Sequence, residues 1–148
     1  MQWVRFGVLT VVAVFSLGAS RPTPELCTLR LHLKGLRSAS GQVLYTIFNR
    51  AEGFPDSPDL AYRKGVATVV GQTLVLELGT LPPGTYAVGV VHDENGNNVV
   101  DTNFFGVPRE GFGFSNDAKP RWNGPPTFEQ ARVVLGAGAH HLHIQLFY

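Results

Sequence analysis

Oxygen-bearing side chains recur at alternate positions in one polar segment, DENGNNVVD, which covers residues 93–101. Asp93, Asn95, Asn97 and Asp101 stand at relative positions 1, 3, 5 and 9, and Val99 at position 7 offers a backbone carbonyl. Loops with this spacing wrap calcium, which takes about six to eight oxygen ligands at roughly 2.3–2.6 Å. The spacing therefore predicts a Ca²⁺ site formed by these five residues.

The same segment departs from helix-flanked calcium loops in two respects. Position 12 is Phe104 rather than a bidentate Glu, and the flanking sequences are not helical, so the segment is not an EF-hand. Asn98 stands where such loops place Gly, and Asn tolerates left-handed backbone better than most residues. Two carboxylates and two amides predict a structural ion of modest affinity, about 10⁻⁴–10⁻³ M. Sodium, magnesium and a solvent-exposed turn without any ion are the alternatives.

Two histidines near the end of the chain, His141 and His143, are candidates for a secondary metal site. On a strand they share one face, and a third histidine nearby would complete a transition-metal site and make the protein a weak metal carrier. Their alternation with Leu142, Ile144 and Leu146 is equally typical of an ordinary strand with one polar face.

Trp122 is the aromatic residue best suited to contact a ligand, such as a sugar or a peptide, because it lies between two polar residues in an irregular stretch. No catalytic residue is predicted, since no serine lies in a Gly-x-Ser-x-Gly elbow. An enzyme with a metal-assisted site near His92, Asp93 and Asp101 is the alternative from a different functional class.

Composition excludes several classes of protein. The chain has 148 residues, a formal net charge of +1 and only 16% charged residues, so nothing indicates electrostatic binding of nucleic acid. Its 44% hydrophobic content is too high for a disordered chain. The one cysteine, Cys27, excludes an internal disulfide and a Cys-rich zinc site, and is most simply a small apolar residue.

The N-terminal segment has the pattern of a secretory signal. Arg5 precedes an apolar run of about twelve residues, which is short of the roughly 20 that span a membrane. Gly18-Ala19-Ser20 then supplies small residues before Arg21-Pro22. The pattern predicts a signal peptide over residues 1–20 and an exported domain over residues 21–148, periplasmic or secreted, without a stable membrane span. An uncleaved membrane anchor is the alternative.

The rest of the chain predicts strands joined by turns. Short runs with strand character cover residues 29–34, 43–48, 66–70, 73–78, 85–92, 131–135 and 141–148. Gly71-Gln72 is predicted to join two of them as a hairpin, Tyr86 to anchor a tyrosine corner, and Thr127 to cap one helical turn. About seven short strands predict an all-β protein, an antiparallel immunoglobulin-like or transthyretin-like β-sandwich, with one long loop over residues 93–118.

The segment HDENGN…DTNFFGVPREGFGFSNDA…GPPTFEQA, from His92 to Ala131, resembles the bacterial "domain of unknown function 2141" family. The resemblance implies an exported β-sandwich without an assigned biochemical activity, and the family commonly has Gly at the position of Asn98. The shorter LPPGTY turn that precedes the Asp/Asn loop is similar to B-type repeats of Gram-positive surface adhesins, in which a similar loop holds a structural Ca²⁺. We therefore expect a binding or structural module of the cell envelope, whose partner is an envelope protein or a glycan.

Overall fold

The structure is a computed structural model that describes residues 25–104 and 108–148, so the predicted signal segment lies outside the described residues. The described residues form eight strands: β1 Cys27–Lys34, β2 Gln42–Phe48, β3 Arg63–Thr68, β4 Thr73–Leu81, β5 Gly84–Asp93, β6 Gly111–Phe114, β7 Val133–Leu135 and β8 Gly138–Gln145. One helical turn, α1, covers Phe128–Ala131, and 3₁₀ turns cover Pro58–Leu60 and Ser115–Asp117.

The strands form two sheets that pack against each other. The three-stranded sheet has the order β4-β1-β8, and the larger sheet has the order β3-β2-β5-β6. The short strand β7 pairs with the first three residues of β5, from Gly84 to Tyr86. The prediction of an all-β sandwich is confirmed. One pairing differs from the antiparallel pattern, because β1 and β8 run parallel.

The core lies between the sheets. Leu29, Leu31 and Leu33 of β1 are at most 1% exposed, as their alternation with polar residues predicts. They belong to the same buried cluster as Ile47 of β2 and Val88 of β5, which come from the opposite sheet. The main buried cluster therefore contains residues of both sheets and joins them.

The predicted hairpin around Gly71-Gln72 is wrong. β3 pairs with β2, whereas β4 pairs with β1 along its whole length, from Lys34↔Thr73 to Cys27↔Leu81. The chain therefore passes from one sheet to the other at this turn. The physical reason is that alternation fixes which face of a strand is buried but not which strand it pairs with.

Two smaller local predictions are confirmed. The hydroxyl of Tyr86 donates to the Pro82 carbonyl oxygen at 2.8 Å, which is the tyrosine-corner contact. Thr127 caps α1 through a reciprocal capping box with Gln130. The long irregular stretch is shorter than predicted, because β6 and the second 3₁₀ turn lie inside it and Phe114 of β6 is buried in a second, smaller cluster.

Candidate metal centre

Asp93 ends β5 and is completely buried. Its Oδ1 accepts hydrogen bonds from the backbone N–H groups of Gly96 at 2.8 Å and Asn97 at 3.2 Å. Its Oδ2 accepts from the Asn98 backbone at 2.8 Å and from Gln42 Nε2 at 2.7 Å. Burial alone would raise the pKa of Asp93, but these hydrogen bonds outweigh it and lower the pKa below its usual value. Asp93 is therefore a carboxylate around which the loop is wound.

Three of the other predicted ligands meet at one point. Asp101 Oδ2 lies 2.6 Å from Asn95 Nδ2 and 3.1 Å from Asn97 Nδ2, with both amides donating. A half-turn of each amide would present its oxygen to the same point, at the cost of the hydrogen bonds that Asn95 Oδ1 and Asn97 Oδ1 accept from the Asn97 and Val99 N–H groups. The fifth predicted ligand, Val99, keeps its side chain 60% exposed and donates its N–H to Asn97 Oδ1 at 2.8 Å. The loop thus brings the Asn95, Asn97 and Asp101 side chains together beside Asp93.

The backbone at Asn98 is left-handed, with φ 61°. Asn is among the non-glycine residues that adopt this conformation most readily, so the expected tolerance of Asn at this position is confirmed. The Asn98 Oδ1 also accepts a hydrogen bond from Gln42 Nε2 at 2.9 Å, which ties the turn to the start of β2.

Glu110 is a functional candidate that the sequence pattern did not reveal. It is 4% exposed, its Oε2 accepts from the Asp101 backbone N–H at 3.3 Å, and its Oε1 is buried with no hydrogen-bond partner among the described residues. Burial raises the pKa of Glu110; the nearby charges of Asp93 and Asp101, and the hydrogen bond that a protonated Glu110 makes to Asp93, raise it further, against the opposing effect of the Asp101 N–H. A buried, unpaired carboxylate oxygen facing two other carboxylates needs either a proton or a cation.

The path of the backbone explains why the spacing of residues in the sequence did not indicate Glu110. Thr102 and Pro108 form an isolated antiparallel bridge, and the Arg109 N–H donates to the Asp101 carbonyl oxygen at 2.8 Å. The chain therefore folds back after the loop and places Glu110, directly before β6, against Asp101. The only sequence signal was an acid that precedes a strand containing Gly and Phe.

A polar cavity of about 360 Å³ opens beside the loop, and Asp101, Glu110 and Arg37 are among the residues that line it. Arg37 forms an ion pair with Glu94, which lowers the pKa of Glu94, and stacks over the Tyr148 ring at 4.4 Å. Within residues 25–104 and 108–148, no group of three or more His, Cys, Asp and Glu side chains forms a metal-holding cluster. An ion at this loop would therefore also require amide or backbone oxygens, which the loop contains.

His92 has a structural role. It is completely buried, its Nε2 lies 2.9 Å from the Ser40 carbonyl oxygen, and its Nδ1 lies 2.6 Å from the Tyr148 hydroxyl. With both nitrogens occupied, the ring has no free position for general acid or base chemistry. It joins the end of β5 to the C-terminal residue instead.

Trp122 lies at the tip of a tight turn and is 98% exposed. The turn is closed by reciprocal backbone hydrogen bonds between Arg121 and Gly124, at 2.7 and 3.2 Å. Beside it, a groove of about 900 Å³ runs over the outer face of the larger sheet, with Val91 and Phe112 among its apolar lining residues. The side chain is thus presented to solvent at the rim of an apolar groove.

His141 and His143 lie on the outer face of the three-stranded sheet, and both are exposed. A third histidine, His32 of β1, reaches them: its Nε2 lies 2.9 Å from His141 Nδ1, and its ring stacks on His143 with centroids 4.7 Å apart. The alternating pattern of β1 placed His32 on a polar face, but only the parallel pairing with β8 brings the three rings together.

The family model of DUF2141, an uncharacterized protein conserved in bacteria, matches residues 31–143, and the chain belongs to this family. The resemblance found in the His92–Ala131 segment is therefore confirmed. No curated protein and no solved structure matches the chain, and the similarity to B-type adhesin repeats is not shown by any of these comparisons. Among the described residues, no helix has the length and apolar character needed to cross a membrane.

Proposed function

We propose that this member of the DUF2141 family is an exported protein of the bacterial cell envelope, periplasmic or secreted, in which one Ca²⁺ ion organises the Asp93–Asp101 loop. The sandwich then serves as a structural or binding module. The observation that carries the calcium proposal is the buried Oε1 of Glu110, which lies near Asp93 and Asp101 and has no hydrogen-bond partner within the described part of the chain.

A calcium ion at this place would satisfy the acidic groups without a proton. Asp101 and Glu110 would supply carboxylate oxygens, and Asn95 and Asn97 amide oxygens after rotation. Asp93, whose two oxygens already accept four hydrogen bonds, would bind the ion by giving up one of them. Because Glu110 directly precedes β6 and Asp93 ends β5, the ion would tie together the two ends of the connection between these strands. Glu110 is thus added to the predicted ligand set of Asp93, Asn95, Asn97, Val99 and Asp101.

Melting curves with a chelator and with Ca²⁺ at about ten times its dissociation constant test the ion. Linkage gives about 1.4 kcal/mol of added stability, which corresponds to a rise in Tm of about 4 °C for a domain of this size. Asp101→Asn and Glu110→Gln should remove the rise, whereas the control Glu129→Gln, on α1, should keep it. No rise in the wild type at about 10 mM Ca²⁺ would exclude an ion of the expected affinity.

The Glu110→Gln variant also shows whether a bound cation or a proton satisfies the Glu110 carboxylate. The glutamine amide can donate to a neighbouring carboxylate, so in chelator at neutral pH the variant should be at least as stable as the wild type. The calcium-dependent rise should be lost in the same variant. A variant that keeps the full rise shows that the ion, if bound, lies elsewhere.

Export is tested by mass spectrometry of the protein purified from its native host. Removal of residues 1–20 and recovery from the periplasm or medium are expected. An intact N-terminus in the cytoplasmic fraction would contradict export.

For the binding role, we place the ligand contact at Trp122 and take a cell-wall glycan as the ligand, with an envelope protein as the alternative. Large exposed aromatic side chains beside apolar grooves mark binding sites. The sequence contains two tryptophans, Trp3 and Trp122. After removal of residues 1–20 the emission reports on Trp122 alone, so glycan fragments should shift it to shorter wavelength. No shift, and equal retention of wild type and Trp122→Ala on cell-wall glycan, would contradict this placement.

A further inference from the structure

Three imidazoles from two neighbouring strands lie together on the outer face of the three-stranded sheet. In the parallel register, His32 of β1 lies beside His143 of β8, and Arg30 lies beside His141. The His32 ring lies between the other two: it meets His141 edge to edge with centroids 5.2 Å apart and stacks on His143 with centroids 4.7 Å apart. None of them supports the core, because this face points away from the opposite sheet.

The closest contact in the cluster is an edge-to-edge hydrogen bond between two ring nitrogens. His32 Nε2 and His141 Nδ1 lie 2.9 Å apart and share one proton in a hydrogen bond. Two metal–nitrogen bonds of about 2.0–2.1 Å separate their nitrogens by about 2.9 Å at a right angle and by about 3.3 Å at a tetrahedral angle, so rotation of the rings brings this pair within the range of a metal chelate.

We propose that His32, His141 and His143 form a surface Cu²⁺ site, with His32 and His141 as the primary pair and His143 as the third nitrogen ligand. Imidazole nitrogen suits copper, and the affinity of such sites rises toward Cu²⁺ among the divalent first-row metals. The shared proton moves to the other nitrogen of its own ring, so neutral imidazoles bind the ion without releasing a proton.

Binding requires a change in ring orientation. As they stand, the three rings do not form a metal-holding group: the nitrogens of His32 and His141 face each other edge to edge, and the His143 ring must turn from its position against His32 to add its nitrogen. His141 and His143 are exposed, so such rotations are fast and unhindered by packing. The proposed site is therefore formed by the metal from residues that the sheet already holds together.

The charges around the cluster have opposite effects. Arg30 and Lys34 flank His32 on the same face of β1, and both disfavour a cation. Arg30 is paired with Glu77 of β4, which partly offsets its charge. The surroundings thus reduce the affinity, which suits a site that exchanges copper rather than one that holds it permanently.

The test is a Cu²⁺ titration followed by electron paramagnetic resonance, with Ca²⁺ present throughout so that the Asp93–Asp101 loop stays in one state. The wild type should bind one Cu²⁺ with nitrogen couplings, and more tightly than Zn²⁺. Replacing His32 or His141 by Ala should weaken binding by at least about tenfold, the lower end of what even indirect partners of a metal contribute. His140→Ala is the matched control, because His140 is bonded to the Gly136 carbonyl oxygen.

Two results would overturn the proposal. One is equal Cu²⁺ binding by the wild type and a variant with all three histidines replaced by Ala. The other is an equal loss in His140→Ala and His141→Ala. If a variant does not fold, the wild type can be tested instead by chemical modification of its histidines, mapped by mass spectrometry. The proposal requires that Cu²⁺ protects His32, His141 and His143 and leaves His140 reactive.

Discussion

Asn98 shows how one residue can determine the shape of the candidate metal loop. Its backbone has φ 61°, a conformation that costs most residues about 1–2 kcal/mol, and its side chain accepts a hydrogen bond from Gln42. We predict that Asn98→Ala is less stable than Asn98→Gly by about 1 kcal/mol, because both lose the hydrogen bond but only Ala is strained. Urea denaturation of the two variants measures the difference. Equal stabilities would contradict a left-handed backbone at this position.

The tyrosine corner predicts a pH dependence. Burial raises the pKa of Tyr86 above the usual value of about 10 for a tyrosine, so the folded protein keeps the hydroxyl proton that the unfolded chain loses. Its stabilising contribution is complete below pH 10 and is lost as the pH rises through the higher folded pKa. Tyr86→Phe should be less stable than the wild type at pH 8 by about 1 kcal/mol, and the two curves should converge above pH 10. Chemical denaturation between pH 8 and 11 tests this; a constant difference would contradict it.

At this scale the sequence predicts groups that are close along the chain and misses those that folding brings together. The convergence of Asn95, Asn97 and Asp101 and the tether of Tyr86 follow from spacing, because each interaction closes within a few residues. Glu110 and His32 carry no such signal. Each reaches its neighbours through a backbone pairing, the Thr102↔Pro108 bridge for Glu110 and the β1–β8 ladder for His32.

At the scale of elements, β6 lies very close to β8, although these two strands do not pair. A Cβ on Gly113 would lie 2.6 Å from Ile144 Cγ2 and 2.7 Å from the Gln145 carbonyl oxygen. The backbone oxygen cannot move freely, so Gly113→Ala should cost about 1–3 kcal/mol. Gly136→Ala, where nothing lies within 4 Å, is the control and should change stability by less than about 0.5 kcal/mol. Thermal denaturation of both variants distinguishes them, and an unchanged Gly113→Ala would refute the close contact.

Strand existence could be predicted from the sequence, whereas strand partnership could not. The leucines of β1 alternate so regularly that the buried face was evident. The turn at Gly71-Gln72 has the composition of a hairpin, yet it carries the chain between sheets, because β4 has a longer partner in β1. Pairing is decided by the sum of contacts along a ladder, which no local pattern contains.

At the scale of the molecule, the two sheets share one buried cluster, so a destabilising substitution in the core of one sheet should unfold both sheets together. Leu31 is completely buried at the centre of this cluster. Leu31→Ala should lower the free energy of unfolding by about 2–5 kcal/mol in a single cooperative transition. Val75→Ala, on a side chain that is 53% exposed, is the control and should have a much smaller effect. Separate transitions for the two sheets would contradict a common core.

The parallel pairing of β1 with β8 has a consequence for how the protein is made. One side of β1 has no neighbour until Gly138–Gln145 has been synthesised. At the usual rate of about 5–20 residues per second, this leaves an open edge for roughly 5–20 seconds after β1 itself is complete. A chain truncated before residue 138 therefore lacks this pairing and should be cleaved by proteases faster than the full-length chain.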